Sequence, residues 1–208
     1  KTYTTESNNK VDLSKVDVEA LRREIHRAEY KAIEIADIRE YIQQMLQQMI
    51  NRNTTRVKFS ERFKGIIDRY NAGGSENEDY YEQLLQLIED LKAENNRADL
   101  EGLSEAELEM YDLLIKGRHL TKIDEQKVKL AAKNLFQKLS ANKKDLFIVD
   151  WYKDAQAMEN VKSAVTTSLD ADLPDSFDKE AFDSKINLLF NHFVDMAVQH
   201  YGWLGEAA

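Results

Sequence analysis

Chemistry in this chain would have to come from four histidines and a large excess of carboxylates, because it contains no cysteine. The missing thiols remove thiolate zinc sites, disulfides and thiol nucleophiles together. The histidines are His26, His119, His192 and His200, and none stands in an H-E-x-x-H spacing. His192 and His200 are eight positions apart, which on a helix separates them by about 80°, too far to share one ion. Without clustered His and carboxylate, neither a hydrolytic metal centre nor a nucleophilic triad has its parts. No catalytic and no metal-binding residue is therefore assigned. One spacing does carry the letters of a magnesium-dependent nuclease: Pro174-Asp175, followed by Asp183-Ser184-Lys185. That chemistry needs two carboxylates and a lysine converging on a metal-bound water, with the D-x-K run on a strand. Residues 181–193 have helical periodicity instead, so an acidic loop and a solvated helix face are expected there.

Phosphate binding has one weak and two stronger candidates. Gly73-Gly74 lacks the G-x-x-x-x-G-K-[ST] spacing and reads as the end of a helix. The first basic segment holds Arg52, Arg56, Lys58, Arg62, Lys64 and Arg69 against only Glu61 and Asp68, although the chain carries a formal net charge of -9. The second holds Lys122, Lys127, Lys129, Lys133, Lys138, Lys143 and Lys144. Lysines mixed with glutamates on helices usually form plain solvated surface. Their functional reading is contact with phosphates or with an acidic partner protein. No aromatic residue is interleaved on the basic face of the first segment, so any DNA contact would run along the backbone and be salt-sensitive. The partner-binding or DNA-binding candidates are Lys58, Arg62, Arg69, Lys129 and Lys133, with Trp203 as an apolar anchor.

The elements that must position these residues read as helices. Seven glycines and one proline in 208 residues are too few for a sandwich or barrel. With 42% hydrophobic and 32% charged residues the chain is globular. No apolar run reaches the roughly 18 residues of a membrane span. Residues 1–15 form a polar lead-in, and Asp17 is a candidate N-cap. Leu21, Ile25, Ala28, Ala32, Ile35, Ile38, Ile42, Met45 and Met49 then predict one long helix over 18–51. A second helix buries Phe59, Phe63, Ile66, Ile67 and Tyr70. Capping boxes are expected at Ser75–Glu78 and Ser104–Glu107. Further helices are expected from Asp124, after the run DLFIVDW at 145–151, which itself reads as extended or as the entry to a helix, and over 179–199. The stretch SLDADLPDSFD reads as an acidic loop, and 94–101 as a polar link. The expectation is thus an all-α bundle of about seven to eight helices, organised along one long N-terminal helix. It divides into a lobe over 1–98 and a second over 99–208. The chain opens at Lys1 rather than Met, which reads as the start of a fragment.

Three runs, in order, resemble one known family. EYKAIEIADIREYIQQMLQQMINRNTTRVKFSERFKGIIDRYNAGG is followed by GLSEAELEMYDLL at 102–114 and by Val149-Asp150-Trp151. Together they resemble the helical region of the motor, or R, subunits of type I restriction enzymes, over about residues 20–201. In that family the region follows the helicase lobes. The parent subunit carries a nuclease and an ATP-driven duplex translocase, with ATP and Mg as its cofactors. No Walker motif or helicase acidic box occurs here, so no family catalytic residue transfers, and the fragment is expected to be non-catalytic and free of cofactor. The resemblance implies a module that docks the motor on the modification and specificity subunits, in the cytoplasm of a bacterium or archaeon, with no membrane partner. The alternative is a non-specific contact with double-stranded DNA through the basic helices. The acidic linker before the last helix looks longer than the family pattern.

Overall fold

A computed structural model describes the backbone of residues 17–27 and 32–205. Among the described residues all regular structure is helical: α1 (Val18–Arg27), α2 (Ala32–Arg52), α3 (Val57–Asn71), α4 (Asn77–Asn95), α5 (Arg97–Glu101), α6 (Glu105–Ile115), α7 (Lys122–Ala141), α8 (Lys143–Leu146), α9 (Ala155–Asp172), α10 (Lys179–Gln199) and α11 (Gly202–Gly205). Two 3₁₀ turns, Thr54–Arg56 and Trp151–Lys153, complete the list. Eight of these helices exceed seven residues, in line with the all-α expectation. The chain divides into two compact units, one of residues 1–50 and 56–97, the other of 51–55 and 98–208.

In the first unit the organising element is not the N-terminal helix that the periodicity predicts. A single helix over 18–51 is not shown: α1 and α2 flank residues 28–31, which lie outside the described residues, as do the lead-in 1–15 and the side chains of Ile25, Ala28, Ala32 and Ile35. The central position belongs to α4. Tyr80, Leu84, Leu87 and Leu91 form one stripe and Tyr81, Leu85 and Ile88 the next, and all seven are buried. Two adjacent stripes require cover on more than one side. Ile42, Met45, Leu46 and Met49 of α2, Phe63 and Ile66 of α3, and Val18 of α1 provide it. Each fully buried leucine or isoleucine here contributes about 2 kcal/mol of apolar transfer. Tyr70 stacks on Tyr80 with centroids 4.0 Å apart, which fixes the last turn of α3 against the first turn of α4.

The helix ends show which local signals hold. Asp17 caps α1, its carboxylate accepting from the Ala20 amide at 2.9 Å. Gly73, at φ 73°, turns the chain out of α3, and the Gly74 amide returns to the Arg69 carbonyl at 2.9 Å, so the double glycine ends the basic helix as expected. Ser104 and Glu107 form the expected reciprocal capping box. The box expected at Ser75 does not form: Glu76 is the N-cap of α4, with no side-chain cap bond. The helix starts one residue later than the pattern requires, which removes Ser75 from the cap. Helix α7 starts at Lys122, two residues before the expected Asp124, and Thr121 caps it, its hydroxyl accepting from the Asp124 amide at 3.2 Å.

In the second unit α7 packs against α6 and α9, and α10 against both of those. The core runs from Leu108 and Leu114 through Val128, Leu135, Val161, Val165 and Leu189 to Phe193. The run at 145–151 is neither a strand nor one helix entry. It leaves α8, passes Asp150 in the left-handed region at φ 56°, and enters a 3₁₀ turn. Phe147 and Trp151 anchor it, meeting edge to face at 5.3 Å. The acidic loop is shorter than expected because α9 continues to Asp172, and the link at 94–101 is largely helical, taken up by the end of α4 and by α5.

Candidate functional site

The nuclease-like letters resolve first. Asp183 and Lys185 lie on α10, where two residues at i, i+2 project about 160° apart. Asp183 is exposed, as is Asp175. Lys185 is buried, and its ammonium donates to the Leu113 carbonyl at 2.9 Å and the Lys116 carbonyl at 2.7 Å. Those are carbonyls at the C-terminal end of α6, which carries partial negative charge and unsatisfied acceptors. The lysine is thus a helix cap. Burial, then Arg118 and Lys116, hold its pKa below the usual lysine value. With the folded pKa lowered, the unfolded chain binds the extra proton, so this group makes stability rise with pH in the window just below 10.5. Lys185→Met is expected to cost about 2 kcal/mol at neutral pH by orphaning two carbonyls. The same variant should also flatten the alkaline rise, as read from urea midpoints across pH.

A second polar cluster was not anticipated from the sequence. Helix α6 places Glu109 and Asp112 three residues apart, hence on one face. Glu109 is 2% exposed. One of its oxygens, Oε1, lies 2.7 Å from Nε2 of the buried His192 on α10. The other, Oε2, accepts from the Thr54 amide at 2.5 Å and the Thr54 hydroxyl at 3.1 Å. Asp112 Oδ2 accepts from Asn53 Nδ2 and from the Thr55 hydroxyl, each at 3.0 Å. Asn53 Oδ1 in turn accepts from the Thr55 amide at 3.0 Å. The two carboxylates thereby fasten the segment Asn53-Thr54-Thr55 inside the second unit.

Hydroxyl, imidazole and carboxylate in one cluster raise the question of a triad. The connectivity answers it. A triad requires the hydroxyl on the imidazole and the carboxylate behind it. Here Thr54 and His192 both bond the same carboxylate, so the hydroxyl has no base. Among the described residues no group of three or more His, Asp or Glu side chains is placed to hold a metal ion. A cleft of about 660 Å³ opens beside Glu109, with Arg52, Glu105, His200, Tyr201 and Trp203 on its wall. Burial, then the nearby Glu109 and Asp195, push the Tyr201 phenol up to about 12, which makes it a hydrogen-bond donor and not a base at neutral pH.

The basic candidates are distributed over both units. On α3, Arg62 pairs with Asp90 of α4. Arg69 donates to Gln83 of α4 at 3.0 Å and to the Gly65 carbonyl at 3.3 Å. Lys64 pairs with Asp68 at 2.8 Å. Lys58 is exposed, 5.3 Å from the centroid of the neighbouring Phe59 ring. Arg56, included in the basic segment, is wholly buried and pairs with Glu94 at 3.0 Å. On α7, Lys129 pairs with Glu101, while Lys133 is half-buried. Trp203 packs edge to face against Phe136, Phe147 and Phe193 at 5.3, 5.5 and 5.8 Å. The structure thus gathers Lys58, Arg62 and Arg69 on one helix and Lys129 and Lys133 on another, with Trp203 in an aromatic cluster of the second unit.

Comparison with known proteins supplies what the geometry alone does not. A protein-family profile described as type I restriction enzyme HindI endonuclease subunit-like, C-terminal, matches residues 3–192. A putative type I restriction enzyme MjaIXP endonuclease subunit of Methanocaldococcus jannaschii is 26% identical over 149 residues, covering 67% of this chain and 13% of that protein. The chain therefore spans about an eighth of the length of the curated relative it matches. No solved structure matches it. No described helix is long and apolar enough to cross a membrane. The profile covers most of the chain, including α6 with its buried carboxylates and α10 through His192, and the chain belongs to the family of C-terminal domains of type I restriction enzyme endonuclease subunits.

Proposed function

We propose that this domain is a non-catalytic assembly module, which docks the endonuclease subunit on the modification and specificity subunits of a type I restriction complex. One observation carries the reading: the buried ionisable groups that could do chemistry are consumed as structural ties. Lys185 caps α6, Glu109 joins α10 to the segment at Thr54, and Arg56 joins Glu94 to the end of α2. A scaffold needs such ties, since a docking surface works best when it is rigid before binding. Three cations of α3 are engaged within the first unit, Arg62, Lys64 and Arg69. That favours a protein partner over a phosphate-binding strip. The ATP and Mg chemistry of the whole subunit belongs, in this reading, to segments other than this one.

The test is competition. The purified chain, added in excess, is expected to displace the intact endonuclease subunit from a preformed modification–specificity complex, read by size-exclusion chromatography and loss of ATP-dependent DNA cleavage. No displacement at tens of micromolar, together with steeply salt-dependent binding to duplex DNA, would overturn the assembly reading in favour of a backbone-type DNA contact.

A further inference from the structure

Helix α7 has one face that is apolar at its centre yet exposed. Its buried side is Val128, Ala131, Ala132, Leu135 and Leu139, turned to α6 and α9. The opposite side should be polar on a solvated helix. It carries instead Ile123, 71% exposed, and Leu130, 57% exposed. Spaced at i, i+7, these two fall within about 20° of each other and about 10 Å apart along the axis. Lys122, Lys127 and Lys133 flank them, and among the described residues none of the three has an ion-pair partner. Helix α7 has five lysines and two acidic residues, the latter both in its first turn. At its edge, Lys129 pairs with Glu101 of α5, on which Leu100 is 83% exposed.

We infer that this face is a docking surface for an acidic amphipathic helix of a partner protein. The pattern departs from that of a simple solvated face, because two large aliphatic residues stand at its centre. It also argues against duplex DNA. Phosphates would use the lysines, but they offer nothing to bury Ile123 and Leu130, whereas a facing helix presents apolar residues at the same two-turn interval. The three lysines without ion pairs then select an acidic rim on that helix, which raises the encounter rate and fixes its register. This inference rests on the assembly reading above and adds which face is used and what chemistry it takes.

The test compares Ile123→Ser with Leu130→Ser in one variant, and Lys122→Glu, Lys127→Glu and Lys133→Glu in another, against the unaltered chain. All five positions lie on the α7 face away from the core, so circular dichroism and the thermal midpoint should stay unchanged. Binding to the modification–specificity complex should weaken about tenfold or more in the apolar variant, as for a truncated interface anchor. In the charge variant the association rate should fall and lose its salt dependence. Equal affinity of the apolar variant and the unaltered chain would overturn the inference while leaving the assembly reading standing. Failure of the unaltered chain to bind would sink both. Duplex DNA binding lost in the charge variant and kept in the apolar one would overturn it in favour of nucleic acid. A change in oligomeric state confined to the apolar variant would overturn it in favour of a second copy of this chain.

Discussion

Arg56→Met is expected to destabilise the first unit by about 3 kcal/mol, the cost of breaking a buried ion pair from one side. The arginine is wholly buried, yet its placement is not arbitrary. Its Nε donates to Glu94 Oε1 at 3.0 Å, and its Nη1 reaches the Met49 carbonyl at 3.3 Å. Met49 lies in the last turn of α2 and Glu94 in the last turn of α4. One guanidinium thus serves the negative ends of two helices and one buried carboxylate. Methionine fills similar volume and keeps the apolar stem contacts, so the loss would be electrostatic and not a cavity. The full penalty for a stranded charge is moderated because Arg97 also donates to Glu94 Oε1 at 3.0 Å. Urea unfolding followed by far-UV circular dichroism should show a midpoint lower by about 1–2 M at ordinary slopes. Adding Glu94→Leu to Arg56→Met should recover part of the loss, since an apolar pair can replace a buried ionic one at little cost. A midpoint unchanged within 0.3 M, roughly the resolution of such curves, would show that the pair is not coupled to folding.

The same residue marks where the sequence could be read and where it could not. In the chain Arg56 looks like one cation of a basic strip with Lys58 and Arg62, because charge composition carries no depth. Fold class was legible, since the apolar spacing of α3, α6, α7 and α10 follows the helical period with few breakers. Cap residues were legible where the side chain had a free first-turn amide, as at Ser104 and Asp17. They failed at Ser75, where the helix begins one residue later. The periodicity of 18–51 predicted one helix, but a stripe shows which side is apolar and not which helix is central. The centre is α4, and its double stripe at Tyr80 and Tyr81 was the available signal. The polar cluster was hidden for another reason. Glu109 follows Leu108 and precedes Met110 in a helix with four acidic residues, so nothing local separates it from the other three. Only its partners, Thr54 and His192, some 55 and 83 positions away, make it structural.

Glu109→Ala should be the most damaging single substitution in the second unit, at about 3–5 kcal/mol. Three groups lose their acceptor at once: the His192 ring, the Thr54 amide and the Thr54 hydroxyl. Each unsatisfied buried donor costs about 1–3 kcal/mol where water cannot reach it. Total stabilities are only about 5–15 kcal/mol, so this loss takes a large share. Both tryptophans, Trp151 and Trp203, lie in the second unit and pack on the aromatic cluster around Phe193, the neighbour of His192. Tryptophan fluorescence during urea unfolding therefore reports this unit, and its midpoint should fall by more than 1 M at ordinary slopes. Glu109→Gln separates charge from connectivity. The amide oxygen can still accept from Thr54 and the amide nitrogen can still meet an unprotonated ring nitrogen, so a structural role predicts a smaller loss than with alanine. His192→Phe combined with Glu109→Ala should cost less than the two single changes added together, because each removes the same contact. If Glu109→Gln left the midpoint untouched but abolished cleavage by a reconstituted restriction complex, the carboxylate would be reactive and the domain would be more than a scaffold. The shared carboxylate geometry argues for the opposite outcome, since a hydroxyl and an imidazole that compete for one acceptor cannot activate each other.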